Sequence, residues 1–380
     1  MREIPAGLFL VALMTPGLLA QKNAPKPDPK AESTAQAQAQ AQQQEIQTLV
    51  RLADSAMSGQ SAPAEFPIQF QNDFLKAQGS RVWVPIILTL DPAKVASPAL
   101  TLYLRVVPRG MTAPPAAPAP AAAASEKSGK DTKDKKKDSK APVTAAPPPA
   151  APAYPYEDAS VLDLKPIPGQ PLRIQRGIGV PAGSYDLYIV LHERGAAAAP
   201  VAAAPPAAAT GKTSVLKQPL DVPNFGGEFS TSSVILAERV DQLPTPITPD
   251  QQSERPYAFG QTEIVVSPDH KFKKSQELIV LLQIYNPMLT PEKKFNLEAT
   301  YTFYRQDAGT EKRFNSTEPQ TFSSDTMGAG FDPSGNSSIQ AGQGVPLQSF
   351  LEGAYRLEIK ITDKLSAKVL TQNVNFAVTP

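Results

Sequence analysis

From Phe66 onward, apolar and polar residues alternate along the chain with a period of two. Val82, Val84, Ile86, Leu88 and Leu90 share one face of a run, with Trp83 and Ile87 on the other. Leu100, Leu102, Leu104 and Val106 alternate with Thr101, Tyr103 and Arg105, and Tyr185, Leu187, Ile189 and Leu191 with Asp186, Tyr188 and His192. The pattern resumes at Leu278, Val280, Leu282 and Ile284, and again at Phe295, Leu297, Ala299, Tyr301 and Phe303. Tyr355, Leu357, Ile359 and Ile361 continue it, and Val374, Phe376 and Val378 close the chain. One apolar and one mixed face per run predicts antiparallel sheets packed on one side. Short runs broken by Pro, Gly and Asn predict an all-β chain of sandwiches.

One segment has helical spacing instead. Ile46, Leu49, Val50, Ala53 and Met57 predict a short amphipathic helix near 42–57, with Gly59 at its end. It is expected to dock on the first sandwich; binding a partner or a second copy is the other reading. Residues 21–44, a Pro/Lys stretch and an Ala-Gln repeat, are expected to stay disordered because they have little apolar surface to bury. Two Ala/Pro-rich insertions, 111–157 and 195–213, interrupt the first β region. Both are expected to be flexible loops, since closure entropy grows slowly with loop length. The organisation read from the chain is therefore a signal peptide (1–20), a linker containing the helix (21–62), a first sandwich (63–224) and a second (225–380).

The two β regions resemble each other. Ile174-Gln175-Arg176-Gly177-Ile178-Gly179-Val180-Pro181 matches Ile339-Gln340-Ala341-Gly342-Gln343-Gly344-Val345-Pro346 at all but two positions. Gly183-Ser184-Tyr185-Asp186-Leu187 corresponds to Gly353-Ala354-Tyr355-Arg356-Leu357, and Val215-Leu216-Lys217-Gln218 to Val369-Leu370-Thr371-Gln372. Upstream, Phe74 and Lys76 echo Phe272 and Lys274. Matches in the same order indicate an internal duplication. Tyr185 and Tyr355 stand where a Greek-key sandwich places its tyrosine corner, a ring in the core with its hydroxyl returned to nearby backbone. The glycines at 177 and 179 are read as serving a turn.

Ser232-Ser233-Val234-Ile235-Leu236-Ala237, Gln283-Ile284-Tyr285-Asn286 and Glu352 to Asp363 resemble the C-terminal β-module of exported bacterial proteins of the von Willebrand-related, GWxTD-associated kind. The resemblance covers roughly residues 228–380. It implies an immunoglobulin-like sandwich of unknown role. The chain has no GWxTD segment and no von Willebrand-type domain, so the functions of those parts are not implied.

Composition adds the compartment and removes most chemistry. Met1-Arg2-Glu3, an apolar stretch from Ile4 and Ala20 before Gln21 read as a secretory signal peptide, short and proline-broken for a span, with an uncleaved anchor the other reading because Leu18 stands three before the cut. The chain is expected to be exported, periplasmic or extracellular, with no transmembrane span after signal removal. With no cysteine and two histidines, thiol and zinc sites are not expected, nor any other cofactor or metal. His192 and His270 are read as surface residues without a role. Asp332-Pro333-Ser334-Gly335-Asn336 offers one carboxylate where calcium loops offer several, and is read as a turn. A net charge of +1 gives no field to attract nucleic acid. Lys133 to Lys137 is interleaved and flanked with aspartates, and is read as a solvated linker.

No catalytic group stands out, so a non-enzymatic interaction or structural module is expected, an adaptor or spacer whose partner is another envelope protein or a glycan. The alternative is a carbohydrate-binding module using Tyr103, Tyr188, Tyr285 and Tyr304 on the mixed strand faces. Against it, such rings commonly make cross-strand pairs or fill contacts between domains.

Overall fold

The computed structural model describes residues 29–111, 154–194, 211–307, 309–328, 331–332 and 338–380, with side chains from Gln38 onward. The expected signal peptide, the Lys133–Lys137 cluster, most of both Ala/Pro insertions and positions 333–336 of the Asp332 turn lie outside the described residues.

The helix, α1, spans Pro29–Met57 and is longer than the sequence pattern suggests. The Ala-Gln repeat was expected to be disordered. Its residues are strong helix formers, and Pro29 occupies a first helical position, where its missing N–H costs nothing. Gln38–Gln44 are exposed. The helix ends in a Schellman turn: Gly59, at φ +75, donates to Ala56 O at 3.1 Å, and Gln60 to Ser55 O at 3.0 Å.

The first β region forms β1 (Gln69–Asn72), β2 (Leu75–Lys76), β3 (Arg81–Leu90), β4 (Ala99–Pro108), β5 (Tyr156–Asp163), β6 (Leu172–Pro181), β7 (Gly183–Glu193) and β8 (Thr213–Val222). The second begins with β9 (Ser230–Thr231), β10 (Ile235–Gln242), β11 (Ala258–Phe259), β12 (Thr262–Val266) and β13 (Lys271–Lys273). It continues with β14 (Glu277–Tyr285), β15 (Asn296–Asp307), β16 (Thr310–Ser316), β17 (Gln320–Ser323), β18 (Ile339–Pro346), β19 (Gly353–Asp363) and β20 (Val369–Thr379). The chain is all-β apart from α1 and two short 3₁₀ turns among the described residues.

Each region is a sandwich with the same plan. In the first, β3 pairs with β1, β2 and β6, facing a sheet ordered β5-β4-β7-β8. In the second, β14 pairs with β9, β10 and β18, facing β15, which pairs with β16, β17 and β19, with β20 beyond. The alternating apolar residues fill two cores, one around Val84, Leu104, Ile178 and Leu187, the other around Leu282, Tyr301, Leu357 and Phe376. Thr48–Pro380 is one compact unit. Phe225, at the start of the second region, packs in the first core against Tyr285, with ring centroids 4.9 Å apart.

The duplication read from sequence falls on equivalent strands, β6 with β18, β7 with β19 and β8 with β20. Two details differ. Ile189 faces Leu216 while Ile359 faces Gln372, so the Val215 and Val369 motifs are offset by two residues, a shift that keeps each side chain on its face. Phe74 and Lys76 are not equivalent to Phe272 and Lys274 either. The structural counterpart of β1/β2 is β9/β10, because both pairs edge the first core strand, whereas β13 crosses to pair in parallel with β20.

The outer face of β5-β4-β7-β8 is covered by α1. Leu49, Ala53 and Met57 close over Tyr103, Val107, Tyr188 and Val190. Arg105, 2% exposed, stands under this contact. Its guanidinium pairs with Asp54 of the helix and with Glu157 at 2.9 Å, beside the Tyr154 and Tyr103 rings at 4.4 and 5.3 Å. Tyr154 to Glu157, read as part of the first insertion, are therefore ordered by the charge they help bury. Pairing of this kind is what lets a cation sit away from water. In the second sandwich the equivalent positions are Thr300, Thr302, Tyr304, Glu358 and Lys360, half-buried or exposed, and no helix among the described residues covers them.

Tyr355 makes the expected corner: its buried ring carries a hydroxyl that donates to Leu351 O at 2.8 Å. The Tyr185 hydroxyl lies against Gly183 instead, 3.1 Å from where a Cβ there would be. Tyr355→Phe should therefore cost about 1 kcal/mol, the worth of one internal hydrogen bond, and Tyr185→Phe less. Leu49→Ala should cost about 2–4 kcal/mol through the cavity it leaves, while Gln42→Ala on the exposed helix should change stability by under about 0.5 kcal/mol. Urea unfolding of the four variants checks both statements.

Candidate functional site

The four strand-face tyrosines are not a common surface. Tyr103 and Tyr188 lie beneath α1, 1% and 2% exposed. Tyr285 is buried where the two sandwiches meet, accepting from Lys76 N–H at 2.9 Å and donating to Gln283 Oε1 at 2.7 Å. Tyr304 is half-buried, and its ring is covered by the Arg356 guanidinium at 4.2 Å, itself held by Glu311 at 2.7 Å. Three of these rings thus fill contacts inside the chain, and the fourth is a platform for an arginine.

The structure points to a different site, the junction between the sandwiches. The face of β3 opposite its core carries Trp83, Pro85 and Ile87, and β2 adds Leu75. Leu75, Ile87, Ile235, Tyr257 and Val266 form a buried cluster of their own, with Trp83, Ile264 and Leu281 packed against it. Both faces of β3 are therefore apolar because both are covered. The links inside β1/β2 and β9/β10, equivalent in the duplication, meet reciprocally. Phe74 N–H donates to Ser233 Oγ at 2.9 Å and Ser233 N–H to Phe74 O at 3.0 Å.

A segment before β11 completes the joint. Ser253 O accepts from Gly177 N–H at 2.7 Å, and Pro256 O from Trp83 Nε1 at 3.0 Å. Gly177 and Gly179 lie within β6, not in a turn. A Cβ on Gly177 would fall 2.0 Å from the Trp83 ring, so this glycine is the space the indole occupies.

Ionisable groups converge here. Asp73, 6% exposed, accepts the Tyr257 hydroxyl at 2.6 Å. Burial pushes its carboxyl up to about 6, against the pull of the Tyr257 and Ser233 hydrogen bonds. Burial and the neighbouring Asp73 hold the Tyr257 phenol well above its usual value. His270, at φ +52, bridges the sandwiches, with Nδ1 3.2 Å from Asn375 O and Nε2 3.4 Å from Gln71 Nε2. Burial lowers its pKa. His192 is not at the surface either: it is 8% exposed and bonded through Nδ1 to Thr213 Oγ1 at 2.8 Å. Both histidines were read as surface residues, yet covering elements far away in sequence bury one and wedge the other.

Two clefts flank the joint. One, about 540 Å³, lies between Gln69, Asp91, Gln170, Arg173 and Asp269. The other, about 450 Å³, lies between the edges of β5 and β6 and is lined by Val161, Arg176, Glu254 and Arg255. Arg176 is spent on Gln175 O at 2.8 Å and stands 4.0 Å from Glu254. Among the described residues no group of three or more His, Cys, Asp or Glu is placed to hold a metal ion. No helix among them is long and apolar enough to cross a membrane.

No protein-family profile matches the chain, and no curated protein matches it. Solved structures with some similarity include a calcium-binding mutant of Bacteroides uniformis beta-glucuronidase 2, with 10% identity and a TM-score of 0.23 over 82% of this chain and 33% of that one. Salmonella alpha-2-macroglobulin mutant Y1175G has 11% identity and a TM-score of 0.17 over 83% of this chain and 17% of its own. The chain thus spans a third or less of the length of either.

Gly177→Ala should destabilise by about 1–3 kcal/mol, because the indole and the strand cannot both keep their places. Gly342→Ala, the equivalent change in the second copy, should cost less, since its Cβ would press on the movable tip of Leu281 at 2.9 Å and otherwise reach Val280 O at an ordinary 3.6 Å. Chemical denaturation of the two variants makes the comparison, and equal losses would count against a packed Trp83 joint.

Proposed function

We propose that the chain is an exported, non-enzymatic structural module, a spacer or adaptor in a periplasmic or cell-surface assembly. The observation that carries this reading is the use of both outer faces of the first sandwich inside the chain, one beneath α1 and one against the second sandwich. A β-chain that spends its apolar faces on holding its own modules in a fixed relation is suited to set a distance or an angle between partners. The open sheet face is that of β15 and β19, with Thr300, Thr302, Arg356, Glu358 and Lys360, polar as the rim of a non-obligate protein interface is polar. We assign that face to an envelope protein partner. The apolar stretch from Ile4 before Ala20 supports export. A glycan platform would need exposed rings, and Tyr103, Tyr188 and Tyr285 have none.

A photo-crosslinking residue in place of Lys360, in a tagged chain in its native host, tests the reading. Capture of one envelope protein at this position, and not from a crosslinker on the exposed Gln42 of the helix, is the expected result. Retention on cell-wall material without a protein adduct would replace the adaptor with a glycan binder, and recovery of the chain from the cytoplasm would remove the export.

A further inference from the structure

The joint between the sandwiches buries a carboxyl group with no cation to neutralise it. Asp73, 6% exposed, sits in the link between β1 and β2, its N–H donated to Pro85 O at 3.1 Å, and its partner Tyr257 belongs to the buried cluster of Leu75, Ile87, Ile235 and Val266. From each element packed against it, the polar groups that face it are hydroxyls and backbone. The segment before β11 contributes Tyr257, the β9–β10 link contributes Ser233, and β3 presents a carbonyl. The nearby cations are engaged elsewhere: Arg255 with Glu263, and Lys76 over the Tyr285 ring at 5.8 Å. None of the described cations pairs with Asp73. The other titratable group of the joint, His270, faces the Gln71 carboxamide of β1 and the Asn375 carbonyl of β20. Its neighbouring Asp269 pairs with Lys271 at 3.4 Å.

We propose that this joint is a proton-operated latch, closed most firmly when Asp73 carries a proton and loosened when Asp73 ionises. The closed joint offers the carboxylate only the neutral hydroxyls of Tyr257 and Ser233, and no cation to set against its charge. A protonated Asp73 keeps its bond with Tyr257 without burying an unpaired charge. In an opened joint, water would solvate the carboxylate. The direction follows from linkage. In the closed joint the carboxyl titrates at about 6, against 3.8 for a free aspartate. Closure is therefore fully favoured below about pH 4, weakens as pH rises to about 6, and is level above that. A difference of roughly two pH units corresponds to a change of up to about a hundredfold in the opening equilibrium. The latch follows from the joint geometry and does not depend on the adaptor role or on export.

Amide hydrogen exchange of the full chain between pH 4 and 8, corrected for intrinsic rates, tests this. The Phe74, Ser233 and Gly177 amides should lose protection by ten- to a hundredfold from pH 4 to 7 relative to the core amides of Ile189 and Tyr301. Asp73→Asn should abolish that slope and hold the joint closed at pH 7, while His270→Gln should leave it. Tyr257→Phe, which removes a bond favouring the carboxylate, should move the transition to higher pH. Parallel behaviour of joint and core amides, a slope that survives Asp73→Asn or vanishes with His270→Gln, or an unmoved transition in Tyr257→Phe would each overturn the latch.

Discussion

The constraint on which this architecture depends is that neither sheet of the first sandwich has an outer face that water can cover. One sheet presents Tyr103, Val107, Tyr188 and Val190, and the other presents Trp83, Ile87 and Leu75. Exposed together, these would form apolar patches of the size that marks an interaction site on a soluble protein. The chain resolves this internally, laying α1 on one face and the second sandwich on the other. Within the compact unit from Thr48 on, the first sandwich is therefore a middle layer.

Each cover also buries polar chemistry, and the two solutions differ. Under α1, Arg105 is compensated by Asp54 and Glu157 and flanked by Tyr103 and Tyr154, so the charge is neutralised where it is desolvated. At the other face Asp73 is compensated by hydroxyls alone. A buried charge without a cation partner makes an interface sensitive to its proton. The same fold thus carries one contact whose buried charge is paired and one whose buried carboxyl is not.

Divergence between the copies follows the same logic. The second copy replaces the helix-binding face with Thr300, Thr302, Glu358 and Lys360, and inserts the segment around β11 and β12 that supplies Tyr257, Ser253 and Pro256 to the joint. The echo of Phe74 and Lys76 in Phe272 and Lys274 falls instead on and just after β13, which pairs in the opposite sheet.

Much of this was legible locally. Strict alternation placed Val82 to Leu90 and Tyr355 to Ile361 correctly, because a period of two has only two faces to choose from. Gly-x-Tyr-x-Leu marked Tyr355 as a corner, and the matched glycines revealed the duplication. The helix near Leu49 was legible too, while its extension to Pro29 was hidden by a composition that reads as low complexity yet favours helix. What alternation cannot say is whether a mixed face is wet. Trp83 and Ile87, or Tyr103 and Tyr188, look the same in sequence whether they meet solvent, a sugar or another part of the chain. Asp73 was invisible for a related reason: nothing near it in sequence marks it, and its partners Tyr257 and Ser233 lie far along the chain. The sequence by itself determined the strands, the cores and the repeat, since these rest on near-neighbour periodicity. The tertiary structure alone decided which outer faces are covered and which charges lose their water, because burial depends on contacts between segments that no local pattern encodes.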